Sequence, residues 1–144
     1  MKVVRCNNLA WLLSDEAFSI YSSCMYKPSY EHYKVQVEKF VTDSLVKIFV
    51  CEEGDKKLGI LILNQSDDIS EIIGLAVRSD CRFKGIGRHM INQVMEFEQL
   101  NCVKVQTDND SIGFYRKCEF TEEKFVKNYV DGLSIRYDCF LNRR

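Results

Sequence analysis

The feature that most constrains this chain is the stretch RFKGIGRHM, Arg82 to Met90. Two glycines stand one residue apart among basic side chains, after the apolar run SEIIGLAV and ahead of apolar residues at helical spacing. A turn between a strand and a helix asks for one glycine. A backbone that must come close to another group asks for two. The stretch therefore predicts a strand, a tight turn and a helix in immediate succession, with positions 85 and 87 kept free of side chains.

The helix is marked by Ile86, Met90, Ile91, Val94, Met95 and Phe97. The strand before it is apolar enough to be buried on both sides. MKVVRC predicts a first strand, and apolar residues at 9, 12, 13, 17, 20, 21 and 24 predict one helix starting at Leu9. Pro28 opens a second helix, buried through Tyr30, Tyr33, Val37, Phe40 and Val41. VKIFVCEE and KLGILIL flank GDK as a hairpin, and NQSDD is a polar turn. CVKVQT alternates as a strand, and DNDSIGFYRKC offers three capping side chains ahead of a short helix. Two last strands lie near FTEEKFVK and LSIRYDCFL. The order is β, α, α, three strands, helix, strand, helix and two strands, which predicts a mixed α/β (α+β) sheet domain spanning residues 1–144 as one unit.

Apolar residues make up 46% of the chain and charged residues 28%, so a packed core is expected rather than disorder. A formal net charge of −1 provides no overall basic field, and no nucleic-acid partner is expected. The seven cysteines are scattered singly, without a CxxC pair and beside only two histidines. Neither a disulfide framework nor a metal site is expected; the cysteines read as small buried hydrophobes of a reducing cytoplasm, with a nucleophilic cysteine as the alternative although none sits in a nucleophile motif. The apolar runs fall far short of the roughly 20 residues of a membrane span, and the opening segment lacks the continuous apolar core of a secretory signal. A cytoplasmic chain with no membrane partner is the expectation.

Three phosphate-handling patterns compete for the glycine segment. A P-loop, GxxxxGK(S/T), has no match, and a dinucleotide fingerprint, GxGxxG, finds Met90 at its third glycine. The third pattern, R/Q-x-x-G-x-G/A running into a helix, is met by Arg82, Phe83, Lys84, Gly85, Ile86 and Gly87. There the first backbone N–H groups of the helix and its dipole favour an anion, and Arg82, Lys84 and Arg88 add positive charge. Read alone, the same residues also fit a glycine-rich turn with solvated charges.

A second motif lies downstream. SEIIGLAVRSDCRFKGIGRHMINQVME resembles the acetyl-CoA-binding core of the GNAT superfamily of N-acetyltransferases, and DNDSIGFYRKCEF resembles that superfamily's helix ending in FYxKxGF. The resemblance implies a mostly antiparallel central sheet with helices on both faces and a splayed pair formed by the fourth and fifth strands. It implies acetyl-CoA as co-substrate, with pantetheine along Leu75, Ala76 and Val77, diphosphate on Arg82 to Arg88, and further contacts from Asn109, Ser111 and Phe114. The backbone N–H near Val77 is then the candidate oxyanion donor and Tyr115 the candidate acid for the leaving thiolate. Glu71 is the candidate base, or else a surface glutamate at a strand start. Asn109 and Ser111 bond pantetheine or cap the helix. Glu119 stands where the family has a glycine, so either the turn is reshaped or a left-handed residue is tolerated.

The implied activity is direct transfer of an acetyl group to a primary amine on a small molecule or peptide, by a monomer or homodimer. A non-catalytic acyl-CoA-binding domain and transfer of a longer acyl group are the alternatives. Tyr21, Tyr26, Tyr30, His32 and Tyr33 crowd the first two helices, where they wall the acceptor site or simply pack; His89 reads as structural or exposed.

Overall fold

The computed structural model describes residues 1–143. Seven strands, β1 (Lys2–Arg5), β2 (Val46–Glu53), β3 (Lys56–Asn64), β4 (Ile69–Val77), β5 (Cys102–Asp108), β6 (Thr121–Tyr129) and β7 (Gly132–Asn142), form one sheet. Its order is β1-β2-β3-β4-β5-β7-β6. Every neighbouring pair is antiparallel except β4 with β5. The fold is the expected mixed, mostly antiparallel sheet.

Strand alternation divides the core in two. Phe49, Cys51, Leu61 and Leu63 face α4 (Ile86–Phe97) and α5 (Ile112–Lys117). Ile48, Val50, Ile60 and Ile62 face α1 (Leu9–Leu12), α2 (Asp15–Tyr21) and α3 (Tyr30–Thr42). Helices thus cover both faces.

Several local readings need correction. The apolar stripe from Leu9 is two helices rather than one. Ser14 interrupts it: its hydroxyl donates to Trp11 O at 2.5 Å and accepts from Ala17 N at 3.2 Å, capping α2. Pro28 precedes the second long helix without opening it, because Ser29 is the cap and accepts from His32 N. Val41 and Phe97 end up exposed. β4 is not buried on both sides, since its burial alternates and Ile69, Glu71 and Ile73 face solvent.

The turn after α5 answers the question raised by Glu119, whose φ is +68°. Glu119 N donates to Arg116 O at 3.0 Å and Phe120 N to Tyr115 O at 3.1 Å, the paired bonds of a Schellman motif. Tyr115 and Phe120 supply the accompanying apolar contact, with ring centroids 5.3 Å apart. The left-handed conformation is therefore kept without glycine, at a cost of about 1 kcal/mol, and the turn is not reshaped.

Candidate active site

The site begins with a gap in the sheet. β4 and β5 are paired only through Ile69, Ser70 and Glu71 against Cys102, Val103 and Lys104. Beyond Glu71, β4 follows β3 as far as Val77↔Gly59, while β5 follows β7 as far as Asp108↔Arg136. Ile62 opposes Gly74 and Leu63 opposes Ile72, which leaves Ile73 as the extra residue of a bulge. The bulge bends β4 where it parts from β5.

Hydrogen-bond parity shows what the gap offers. Arg78 N donates to Leu58 O at 2.8 Å, so alternate N–H groups of β4 turn toward β3 and those of Val77 and Leu75 turn into the gap. The gap widens into a cleft of about 780 Å³ lined by β4, the turn before α4, the first residues of α4, and α5.

At one end of the cleft α4 begins without a side-chain cap, at Gly85 with φ +78°. The N–H groups of Ile86, Gly87 and Arg88 open the helix without intrahelical acceptors, an arrangement whose partial positive charge favours an anion. A Cβ on Gly85 would meet no protein atom within 4 Å, and its left-handed dihedral favours glycine. Phe83 is also left-handed, with φ +64°, and its side chain is fully exposed at the cleft rim. Arg82, Arg88 and Lys117 line the cleft and make its charge positive, while Asp110 adds one carboxylate. Arg82 Nε donates to Val77 O at 3.4 Å.

Tyr115, on α5, also lines the cleft. Its ring is clamped edge-on between Phe114 and Phe120, with centroids 5.0 and 5.3 Å away. It is 7% exposed, and its hydroxyl has no hydrogen-bond partner among the described residues. Burial, with a smaller contribution from nearby Cys24, raises the phenol well above its ordinary value and keeps it protonated. A phenol that lines a cleft without a protein partner is free to donate to another group there.

An open β4–β5 pair and an uncapped helix start after a strand coincide with a sequence match. Residues 44–122, more than half of the chain, match the model of the acetyltransferase (GNAT) domain. The chain belongs to the GNAT acetyltransferase family. No curated protein matches it in sequence. Among solved structures, it resembles a Bacillus subtilis acetyltransferase in complex with CoA at 16% identity and TM-score 0.72, covering 99% of both chains. A GNAT family acetyltransferase from Elizabethkingia anophelis with acetyl-CoA bound aligns at 14% identity and TM-score 0.74, over 99% of this chain and 97% of that one. The ribosomal-protein-S18-alanine N-acetyltransferase of Escherichia coli aligns at 15% and 0.74, over 98% and 92%. At these identities the likeness is one of fold.

Of the residues expected in a GNAT cofactor site, Leu75, Ala76, Val77, Arg82, Phe83, Gly85, Ile86, Gly87, Arg88, Ser111, Phe114 and Tyr115 line the cleft. Ile86 contributes backbone, for its side chain is in the core. Gly87 differs from Gly85: a Cβ there would lie 2.8 Å from the Phe114 ring, so that ring already occupies the space beside it. Three expected residues stand outside the lining: Lys84, Asn109 and Glu71. Asn109 Oδ1 accepts from Tyr137 OH at 2.8 Å, and the cap of the following turn is Asp108, which accepts from Asp110 N and Ser111 N at 3.1 Å each. Ser111 is left without a side-chain capping bond and faces the cleft. Glu71 is exposed at the closed end of the gap, on the sheet face it shares with Lys104.

Sequence reasoning missed Cys24, which follows α2 in a single 3₁₀ turn, Ser22–Cys24, and lines the cleft. The thiol donates to Tyr21 O at 3.2 Å, and its sulfur lies near the N–H of Leu75. Its only signal was membership of an apolar helical stripe.

Proposed function

We propose that this GNAT chain is an N-acetyltransferase that moves the acetyl group of acetyl-CoA directly to a primary amine. The observation that carries the reading is a cleft lined both by the Tyr115 side chain, whose hydroxyl has no protein partner among the described residues, and by an uncapped helix start. The residues present fit an elongated, anionic thioester. Bound acetyl-CoA supplies an activated acyl carbon and a thiolate leaving group. The N–H groups of residues 86–88, with Arg82 and Arg88, would hold its diphosphate, and the free N–H groups of β4 would align its pantetheine.

Leu75, rather than Val77, is the better candidate for stabilising charge on the carbonyl oxygen. Its N–H opens into the gap beside Cys24, whose field reaches Tyr115, whereas Val77 lies toward the Arg82 end. Tyr115 would donate its proton to the departing sulfur. Glu71 is the one carboxylate on β4 and would take the proton of the amine through water. Glu71→Gln is expected to lower kcat about 10²-fold, the low end for such a group, with acetyl-CoA affinity unchanged. Full turnover in Glu71→Gln would remove it from the mechanism.

The cofactor assignment is tested by calorimetry with acetyl-CoA. Gly85→Asn tolerates the left-handed backbone and should retain binding, whereas Gly85→Asp places a carboxylate at the anion site and should weaken it at least about tenfold. Equal weakening by both would assign the effect to space instead of charge. A folded parent that binds no acetyl-CoA would overturn the assignment. Binding without turnover across a panel of amines would leave an acyl-CoA-binding domain.

A further inference from the structure

Cys24 is the exposed cysteine of the seven; Cys81 and Cys118 also line the cleft but are buried. Its thiol donates to the carbonyl of Tyr21 at 3.2 Å and lies near Leu75 on the part of β4 that has left β5. A charge on it is felt at Tyr115. Tyr115, whose hydroxyl has no protein partner among the described residues, lines the same cleft as Cys24, and on the cofactor reading that hydroxyl meets the ligand sulfur.

We propose that Cys24 is a modification site for coenzyme A itself, captured as a mixed disulfide by exchange with a coenzyme A disulfide seated in the cleft. The inference rests on the cofactor reading above. Cys24 gives up its thiol proton and its sulfur attacks the nearer sulfur of the disulfide. The S–S bond breaks, a new S–S bond joins Cys24 to one coenzyme A, and the other leaves as the thiol carrying the proton. Cys24 is oxidised, the departing half is reduced, and no further oxidant is needed. The adduct occupies the cleft and excludes acetyl-CoA until a thiol reductant releases it.

Selectivity follows from placement. Cys24 is exposed as a residue, but desolvation of its sulfur pushes the thiol up to about 11, so little thiolate exists at neutral pH. The higher nucleophilicity of a more basic sulfur recovers only about half of that loss on a logarithmic scale, leaving an unguided disulfide about tenfold slower than with an ordinary thiol. A disulfide delivered by the cleft is not limited in this way, because its sulfur is brought within reach of Cys24.

The test incubates the unmutated chain with coenzyme A disulfide or with oxidised glutathione at equal concentration, followed by intact mass and peptide mapping. One coenzyme A per chain is expected, on Cys24, at a rate at least about tenfold above that of glutathione. Saturating acetyl-CoA should suppress it and dithiothreitol should reverse it. Equal rates with both disulfides, an adduct on another cysteine, or no adduct on a chain that binds acetyl-CoA by calorimetry would overturn the inference alone. A chain that binds no acetyl-CoA would overturn the cofactor reading and this inference together.

Discussion

Tyr115→Phe is expected to lower kcat by about 10²–10³-fold, within the usual range for losing a positioned acid, while thermal stability stays at the parent level. Both halves follow from one observation. The hydroxyl bonds to no protein group among the described residues, so its removal breaks no hydrogen bond there, and the ring keeps its edge contacts with Phe114 and Phe120. Tyrosines that staple helices behave differently: Tyr33 donates to Leu12 O at 2.5 Å, and Tyr33→Phe should destabilise without such an effect on the chemical step. Because burial raises the Tyr115 phenol above its ordinary value, the group remains a proton donor through neutral and mildly alkaline pH. The pH–rate profile should therefore show no alkaline fall from this residue below about pH 10. Steady-state kinetics beside a melting curve checks the split. A fall in kcat under about threefold, or a loss of stability as large as that of Tyr33→Phe, would take Tyr115 out of the chemistry.

Much of this arrangement is legible locally. Gly85 shows itself because the turn between an apolar strand and an amphipathic helix needs a left-handed residue, and its φ of +78° is that conformation. The hairpin of β2 and β3 follows from two apolar runs around Gly54–Asp55. Short-range competition is harder to see. Ser14 breaks a helical stripe that hydrophobic periodicity carries straight through, because one hydroxyl serves two backbone groups. Chemistry assembled from distant segments is not visible at all. Cys24 and Leu75 meet only when α2 lies on β4, and nothing in the spacing of either residue announces it. Glu71 shows the reverse: strand position suggested a carboxylate between isoleucines, yet alternation turns it to the exposed face while Ile72 goes inward.

Gly74→Ala is expected to cost about 1–3 kcal/mol in folding stability and to weaken acetyl-CoA binding as well. A Cβ at position 74 would lie 1.9 Å from the Tyr21 hydroxyl, 2.6 Å from Cζ and 2.8 Å from Cε1. The ring has little room to withdraw, since Tyr21 is 4% exposed and packs on Tyr33 with centroids 5.8 Å apart. Relief must come from moving α2 off the sheet, and the turn after α2 carries Cys24 and Ser23, both on the cleft wall. One methyl group on β4 thus reaches the core and the site by the same displacement. Tyr21→Leu removes the hydroxyl and the far ring atoms, so Gly74→Ala should cost less in that background, a coupling that denaturant unfolding of the four chains measures. If the two changes add independently, the ring does not set the cost. The bulge at Ile73 and the glycine after it then serve the bend of β4 alone, and the wall carrying Cys24 must owe its position to other contacts.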